Sequence, residues 1–240
     1  METYHKIQTL FKRHQEGSRK GKMIRDAWTT PELEFLAGNE WEFTEKVDGT
    51  NIRIGYDLEP HHLDKVEFAG RSDNASIPDP LMRYLEETFT TGLFTKAGLH
   101  DVTLFGEGYG PKIQGGGKYR DDHSFVLFDV KIGGTWLTRD SVDDIASKLG
   151  IDSVPTIGYG TLHDAIDIVS SGLTWDKNGR MKNWGGTRQK KDGKGRESFA
   201  GLKSQWGDFP AEGIVARPKV PMFDRQGKRI ITKIKDVDFR

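Results

Sequence analysis

The segment Glu-Lys-Val-Asp-Gly-Thr-Asn at residues 45–51 is the part of the chain most suggestive of chemistry. Lys46 stands two residues before an Asp-Gly pair, which favours a sharp backbone reversal that could present Lys46 and Asp48 to one site. In a phosphate pocket lined by other cations, a lysine can react as the neutral amine, which is a nucleophile. The alternative is an ordinary Asp-Gly hairpin turn between two strands. The segment alone leaves both interpretations open.

A second group of cations stands near the end of the sequence. Residues 229–235 (Arg-Ile-Ile-Thr-Lys-Ile-Lys) predict a strand, and a period of two places Lys233 and Lys235 on one face and Ile230 and Ile234 on the other. Two lysines directed from one face of a strand could clamp a triphosphate. The alternative is an amphipathic edge strand whose lysines prevent unwanted pairing.

Two carboxylates stand where they could contact a ligand. Glu212 precedes the apolar segment 213–217, and its hard oxygens suit Mg²⁺, which neutralises charge in phosphoryl chemistry. Glu107 lies between glycines in Phe-Gly-Glu-Gly-Tyr-Gly (105–110), so the backbone could approach a ligand while the carboxylate accepts ribose hydroxyls. The alternatives are an ordinary strand start for Glu212 and a plain turn around Glu107.

Phe128 and Arg71 are further candidates for nucleotide contact. Phe128 belongs to the hydrophobic segment 124–129, where its ring could either stack on a base or pack in a core. Arg71 lies in the polar turn 70–74 and is a candidate contact to phosphate or ribose.

The composition limits the classes of protein that the chain can represent. The 240 residues contain no cysteine, which excludes disulfides and thiolate metal sites. We find no long apolar run and no signal-peptide segment, so we expect no membrane association and a cytoplasmic location. Thirty-six basic residues balance thirty-six acidic ones, but residues 1–25 and 177–196 are both strongly basic. These segments fit local contact with phosphate backbones, or else a solvated surface.

The pattern of apolar residues predicts more strands than helices. The predicted strands are Trp41–Lys46, Asn51–Tyr56, Val66–Ala69, Val102–Phe105, Ser124–Lys131, Gly213–Arg217 and Arg229–Lys235. The predicted helices are 79–91, 140–149 and 161–170, the last with a Thr161/Asp164 capping pattern. Residues 178–198 predict a mobile loop. Because strands and helices do not alternate regularly, we expect an α+β fold of largely antiparallel sheets with flanking helices.

The order of these segments resembles a known superfamily. Five of them resemble motifs I, III, IIIa, IV and V of the covalent nucleotidyltransferases, which comprise polynucleotide ligases and mRNA capping enzymes: Lys46–Gly49, Phe105–Gly108, Ser124–Asp129, Glu212–Val215 and Lys233–Lys235. Asn51, five residues after the lysine, resembles the residue at this position in the RNA ligase 2-like branch, which includes bacteriophage ligases, whereas DNA ligases and capping enzymes usually carry Arg there. If the gene is phage-borne, the expected location is the host cytoplasm. Asp48 departs from the His that this branch frequently has.

The resemblance implies a role for each candidate residue. Lys46 would attack the α-phosphate of ATP, expel pyrophosphate and carry AMP as a lysyl phosphoramidate. Glu212 would help to hold Mg²⁺ or Mn²⁺. The remaining implied roles are contacts to the nucleotide or the RNA end: Glu45 and Phe128 to adenine, Glu107 to ribose, Asn51 and Arg71 to phosphates or the incoming strand end, and Lys233 and Lys235 to the α-phosphate.

The resemblance also implies the function and the organisation of the chain. It implies an ATP-dependent RNA ligase for RNA repair that seals 5′-phosphate and 3′-hydroxyl ends, with a small DNA ligase or a non-catalytic nucleotide- or RNA-binding module as alternatives. The expected substrates are RNA ends, or else DNA or RNA/DNA hybrid nicks. We expect a monomer with a single ATP-grasp-like nucleotidyltransferase (adenylation) domain over 1–240. Within it, residues 1–30 would be a basic N-terminal extension, and no C-terminal domain would be appended.

Overall fold

The computed structural model describes residues 1–57, 65–175, 181–183, 186–189, 196–199 and 201–239. The helices are α1 (Pro31–Phe35), α2 (Asp79–Thr88), α3 (Thr91–Lys96), α4 (Arg139–Leu149) and α5 (Leu162–Ser171), with 3₁₀ turns at Gly116–Lys118 and Asp236–Asp238. The strands up to residue 136 are β1 (Gln8–Thr9), β2 (Phe11–Arg13), β3 (Met23–Trp28), β4 (Trp41–Glu45), β5 (Thr50–Asp57), β6 (Lys65–Gly70), β7 (Val102–Tyr109), β8 (Ser124–Ile132) and β9 (Thr135–Trp136). The later strands are β10 (Asp152–Ser153), β11 (Thr156–Gly160), β12 (Leu173–Trp175), β13 (Met181–Asn183), β14 (Gly186–Gln189), β15 (Arg196–Phe199), β16 (Gly213–Pro218) and β17 (Thr232–Lys235).

The chain forms two compact units. The first unit comprises Met1–His5 and Val47–Val154, and the second comprises Lys6–Lys46 and Pro155–Arg240. The predicted basic extension 1–30 therefore contributes its first residues to one unit and strands β1 to β3 to the other. The interpretation of the chain as a single nucleotidyltransferase domain stays a prediction.

The first unit is a sheet covered by helices on one face. Its strand order is β10-β8-β7-β5-β6, with β9 paired to β8, and the pairs are antiparallel except β10 with β8. Alternate side chains of β5, β7 and β8 form a core with α2, α3 and α4, in which Ile54, Leu85 and Leu104 are fully buried. The odd-numbered residues of β5 face the other side of the sheet, because successive side chains of a strand alternate between its faces.

The second unit is built on a five-stranded sheet of order β1-β17-β16-β4-β11. The pairs β17–β16, β16–β4 and β4–β11 are antiparallel, and β1 is parallel to β17. Its core joins this sheet to α5, with Trp41, Phe43, Leu162 and Ile214 fully buried. The α+β class with largely antiparallel sheets is confirmed, whereas the ATP-grasp-like detail stays a prediction.

The predicted helices and strands agree with the observed ones to within a few residues, with two informative differences. The predicted strand 229–235 begins only at Thr232, because Arg229 pairs with Phe223 and Ile230 donates to Met222 O (2.9 Å) in a separate turn. The predicted loop 178–198 contains the strands β13 and β14 and the start of β15. No helix in the described part of the chain is long and apolar enough to cross a membrane.

Candidate active site

Three neighbouring strands of the second unit bring Lys46, Glu212 and Lys235 together. In the β4–β16 ladder Ile214 stands opposite Glu45, and in the β16–β17 ladder Gly213 stands opposite Lys235. The backbone N–H of Lys46 then donates to Gly213 O at 2.9 Å, which extends the pairing by one residue. Residues far apart in the sequence thus meet at one end of the sheet.

Glu212 forms an ion pair with both lysines. Its Oε2 lies 2.5 Å from Nζ of Lys46, and its Oε1 lies 2.7 Å from Nζ of Lys235. The three side chains are only partly exposed (15% for Glu212, 21% for Lys46 and 31% for Lys235), so solvent screens the pairs less than on an open surface. One carboxylate therefore holds two ammonium groups at the end of β4.

The backbone next to Glu212 requires glycine. Gly213 has φ +148°, and a Cβ there would lie 2.0 Å from the carbonyl oxygen of Ile234. The absence of a side chain lets β16 lie close enough to β17 for Glu212 to reach Lys235.

Lys233 shares the exposed face of β17 with Lys235. The strand alternates between buried Thr232 and Ile234 and half-buried Lys233 and Lys235. The predicted orientation of the two lysines is confirmed, and it follows from the period of two.

Glu45, the last residue of β4 and the neighbour of Lys46 in the chain, is a buried carboxyl group. The Gln205 backbone N–H donates to Oε2 at 2.8 Å, whereas Oε1 is buried and has no hydrogen-bond partner within the described ranges. Burial raises the pKa of Glu45 to about 7, against the lowering effect of the hydrogen bonds from Gln205 and Ser204. A buried oxygen without a partner is unusual in folded proteins and suits a ligand atom.

Glu212 is the candidate ligand for a divalent ion. No group of three or more acidic or histidine side chains that could hold a metal lies among the described residues. Mg²⁺ usually binds through one or two carboxylates and completes its shell with phosphate oxygens and water. Glu212 therefore fits the role of a single carboxylate ligand, direct or through water.

In the first unit, Asn51 and Glu107 face each other across β5 and β7. Directly paired residues of antiparallel strands lie on the same face, which here is the face opposite the helices. The Gly49 backbone N–H donates to Glu107 Oε1 at 3.2 Å. Oδ1 of Asn51 is buried and has no hydrogen-bond partner in the described part of the chain.

Asp48 is held by a segment that the sequence left without a role. Its Oδ2 accepts the Gly115 N–H at 3.1 Å, and its own N–H donates to the Tyr119 hydroxyl at 3.1 Å. The Asp-Gly pair after Lys46 is thus fastened to residues 115–119 and is not a tight hairpin turn between two strands of one sheet.

Phe128 lies at a bulge in β8. The ladder pairs Phe105 with Asp129 and Gly106 with Leu127, so Phe128 has no residue directly opposite. A bulge redirects the side chain it contains. The half-buried ring of Phe128 lies outside the main core and contacts Tyr4 edge-on, with centroids 5.1 Å apart.

The glycines around Glu107 serve packing. Residues 105–109 belong to β7, so the interpretation as a plain turn is wrong. A Cβ at Gly106 would lie 2.2 Å from the Phe125 ring, and one at Gly108 would lie 2.5 Å from Leu81. These glycines admit neighbouring core side chains, and the expectation that they also admit a ligand to the backbone stays a prediction.

Arg71 is exposed in the turn after β6, and the described residues offer it no hydrogen bond or ion pair. The turn itself is held by Arg53, which is fully buried and donates to Gly70 O (2.7 Å) and Asp73 Oδ1 (2.8 Å). The same guanidinium donates to the carbonyls of Met1 and Glu2. Arg53 was not among the predicted site residues, although its position two residues after Asn51 in an alternating strand was a signal.

The structure thus brings Lys46, Glu212 and Lys235 together in the second unit, with Lys233 on the same face of β17 as Lys235 and Glu45 next to Lys46 in the chain. In the first unit it makes Asn51 and Glu107 neighbours, with Phe128 on the adjacent strand and Arg71 in a separate turn. The roles assigned to all of these residues remain predictions. The side chains of the basic segment 177–196 lie outside the described residues.

Comparison with known proteins identifies the family. A family model described as RNA ligase matches residues 39–235. No curated protein sequence matches the chain.

Solved structures of Naegleria gruberi RNA ligase have a similar fold. The form with PPi has a TM-score of 0.53 at 18% identity, and the alignment covers 85% of this chain and 52% of that one. A variant with ATP and Mn has a TM-score of 0.53 at 17% identity, covering 85% and 52%. Another variant with ATP and Mn has a TM-score of 0.54 at 15% identity, covering 99% and 63%. The chain spans roughly half to three-fifths of the length of these proteins. The match of the family model over most of the sequence shows that the chain belongs to the RNA ligase family.

Proposed function

We propose that this protein is an ATP-dependent RNA ligase that joins 5′-phosphate and 3′-hydroxyl ends through AMP carried covalently on Lys46. The observation that carries the proposal is the cluster of Lys46, Glu212 and Lys235, which combines a nucleophile, a carboxylate and a second cation within hydrogen-bond distance. Membership of the RNA ligase family supports the reaction class. The solved relative of similar fold has been captured with ATP and Mn.

In the first step, Nζ of Lys46 attacks the α-phosphorus of ATP. A P–N bond forms, the bond from the α-phosphorus to the bridging oxygen breaks, and pyrophosphate leaves. Lys46 must lose its proton to attack, and Oε2 of Glu212, at 2.5 Å, is within reach to accept it. The ammonium groups of Lys233 and Lys235 would stabilise the negative charge that develops on the α-phosphate.

The adenosine would be held by Glu45, Phe128 and Glu107. Oε1 of Glu45 is a buried acceptor without a partner among the described residues, and it could accept a hydrogen bond from the amino group of adenine. We assign Glu45 to the adenine, and Asn51 and Arg71 to phosphates or the strand end. Phe128 would stack on the base, and Glu107 would accept a ribose hydroxyl.

Glu212 would be the ligand of Mg²⁺ or Mn²⁺. When bound, such an ion supplies a positive charge that neutralises phosphate oxygens. Two further displacements at phosphorus complete the joining: the 5′-phosphate takes AMP from Lys46, and the 3′-hydroxyl then expels AMP.

Incubation with α-labelled ATP and Mg²⁺ or Mn²⁺ tests the first step. We expect a covalent, acid-labile adduct on the wild-type protein and none on Lys46→Ala. Lys219→Ala is the matched control, because Lys219 is also in a Lys–Glu ion pair of the second unit (2.9 Å to Glu40) but lies away from the cluster. If neither the wild type nor the control forms an adduct under varied metal and pH, the proposed reaction is wrong.

Glu212→Gln tests the carboxylate separately. The substitution keeps the size of the side chain but removes its charge, and we expect adduct formation to slow by roughly 10²-fold. A rate equal to the wild type would remove Glu212 from the mechanism. Competition between single-stranded RNA ends and a nicked DNA duplex then tests the substrate class, and a preference for the nicked DNA duplex would make the protein a DNA ligase.

A further inference from the structure

A groove of about 530 Å³ runs along the edge of the second unit beside the lysine cluster. Its walls come from residues of the segment 6–15 and from Lys233, Lys235 and Val237. The segment 6–15 lies outside the part of the chain that the RNA ligase family model matches, which begins at residue 39. We call this feature the N-terminal groove.

The pairing of β1 with β17 creates the groove. The two strands are parallel, with Gln8 opposite Thr232 and Thr9 opposite Lys233, and Leu10 N donates to Lys233 O at 3.1 Å. The N-terminal segment is therefore the edge strand of the same sheet that carries Lys233 and Lys235. Lys235 connects the groove to Glu212, and through it to Lys46.

The groove has cations that no carboxylate in the described part of the chain neutralises. Lys6 and Lys12 are exposed, and neither has a carboxylate partner within the described ranges. Arg13, in contrast, is paired with Asp238 at 2.6 Å and donates to Gly21 O, so it supports the wall. Two unpaired lysines next to Lys233 and Lys235 make a positive tract that leads away from the reacting lysine.

The uncharged residues that line the N-terminal groove favour a nucleotide chain over a small anion as its ligand. Beyond the cations, the groove is lined by Gln8, Thr9, Gln15 and Thr29 and by Val237, which is 63% exposed. The side chains of Thr9, Gln15 and Thr29 each donate a hydrogen bond to a protein carbonyl and keep an oxygen that can accept one from a ligand. Pyrophosphate would use cations alone, whereas a nucleotide chain also presents sugars and bases to polar and apolar side chains. Cations spaced along a groove suit successive phosphates of a backbone.

We propose that the N-terminal groove binds the phosphodiester backbone of the RNA strand whose end reacts at Lys46, with Lys6 and Lys12 contacting two successive phosphates beyond the reacting one. This inference rests on the proposed ligase function and adds to it the path of the strand. It also assigns a role to a segment that the family match does not include.

The test uses Lys6→Gln/Lys12→Gln in the full chain, with Lys20→Gln/Lys22→Gln as the matched control. Lys20 and Lys22 are equally exposed, lie in the turn between β2 and β3 and do not line the groove. Binding of a 5′-phosphorylated single-stranded RNA is measured by fluorescence anisotropy from about 50 to 200 mM salt. Because all four lysines are exposed, both proteins should fold as the wild type does, which circular dichroism checks.

Each phosphate contact to a single strand contributes about 0.7 to the slope of log K against log salt. Loss of two contacts should therefore reduce the slope by about 1.4 and weaken binding roughly 25-fold at about 0.1 M salt, if the affinities converge at about 1 M. The control should keep the wild-type slope to within a few tenths. Equal slopes for the two double variants would overturn the proposal.

Labelling with α-labelled ATP separates this inference from the proposed function. We expect Lys6→Gln/Lys12→Gln to form lysyl-AMP at the wild-type rate. Slower labelling with unchanged RNA binding would mean that the groove holds the pyrophosphate part of ATP, and the proposal would be wrong. If the wild type forms no adduct yet its RNA binding depends on Lys6 and Lys12, the ligase function fails and the strand path stands.

Discussion

Replacing Glu45 by glutamine should make the protein more stable at alkaline pH and leave its stability at acidic pH unchanged. The carboxyl of Glu45 is almost fully buried (1% exposed) at the end of β4, and burial raises its pKa from 4.5 to about 7. Glutamine has nearly the same shape and keeps an oxygen that can accept the Gln205 N–H. The substitution therefore removes the ionisation while retaining the hydrogen bond.

The size and sign of the effect follow from the two pKa values. Below about pH 4.5 the carboxyl is protonated in both the folded and unfolded states, so its ionisation does not affect stability. Between about pH 4.5 and 7 the unfolded chain releases the proton and the folded protein keeps it, so the free energy of unfolding falls as pH rises. Above pH 7 the loss is complete, and a difference of about 2.5 pKa units corresponds to about 3 kcal/mol.

Urea unfolding followed by tryptophan fluorescence across pH 4.5 to 8.5 measures this difference. The free energy of unfolding of Glu45→Gln minus that of the wild type should rise by about 3 kcal/mol over this range, mostly before about pH 7. Glu34→Gln, which removes a carboxylate from an exposed position on α1, is the control and should not follow this curve. A difference for Glu45→Gln that is constant with pH would refute the argument that burial controls the ionisation of Glu45.

Two further predictions concern the local structure that supports the site, and both are measured by thermal or urea unfolding. Gly213→Ala should destabilise the protein by roughly 3 kcal/mol or more, because the new Cβ would lie 2.0 Å from Ile234 O at a φ of +148°. Gly158→Ala in β11 is the control and should be nearly neutral, because Gly158 has open space around it. Equal losses of stability in the two variants would contradict the steric argument. Thr161→Ala should cost about 1 kcal/mol because the Thr161 side chain caps α5. Thr138→Ala should cost less, since Thr138 precedes α4 without a capping hydrogen bond, and a larger loss at Thr138 would contradict the role of the cap.

Local patterns in the sequence predicted the elements well. The strand over residues 51–56 and the helix over 161–170 are both observed to within a residue or two, because the alternation of apolar residues and the Thr161/Asp164 box act within a few residues of chain. The same alternation predicted that Lys233 and Lys235 share a face.

The missed features depend on contacts between distant residues. Strand β1 has only two residues, too few to show a period, and it forms because Gln8 and Thr9 pair with β17 more than two hundred residues later. The bulge at Phe128 arises from the register between β7 and β8, which the sequence of β8 alone does not reveal. Arg53 is buried only because carbonyls from the N-terminal residues and from the turn after β6 converge on it.

Glu212 shows most clearly which contacts of a candidate site residue a local pattern cannot predict. Its position before an apolar strand indicated a metal ligand, and no local pattern indicates that β16 lies between β4 and β17. That order gives the carboxylate a lysine on each side, so each oxygen already has an ammonium partner. Any ligand or ion that Glu212 binds would therefore share its oxygens with the ammonium groups of Lys46 and Lys235. In the proposed reaction, binding at Glu212 would weaken its hold on the Lys46 amine, which would couple the two events at one carboxylate.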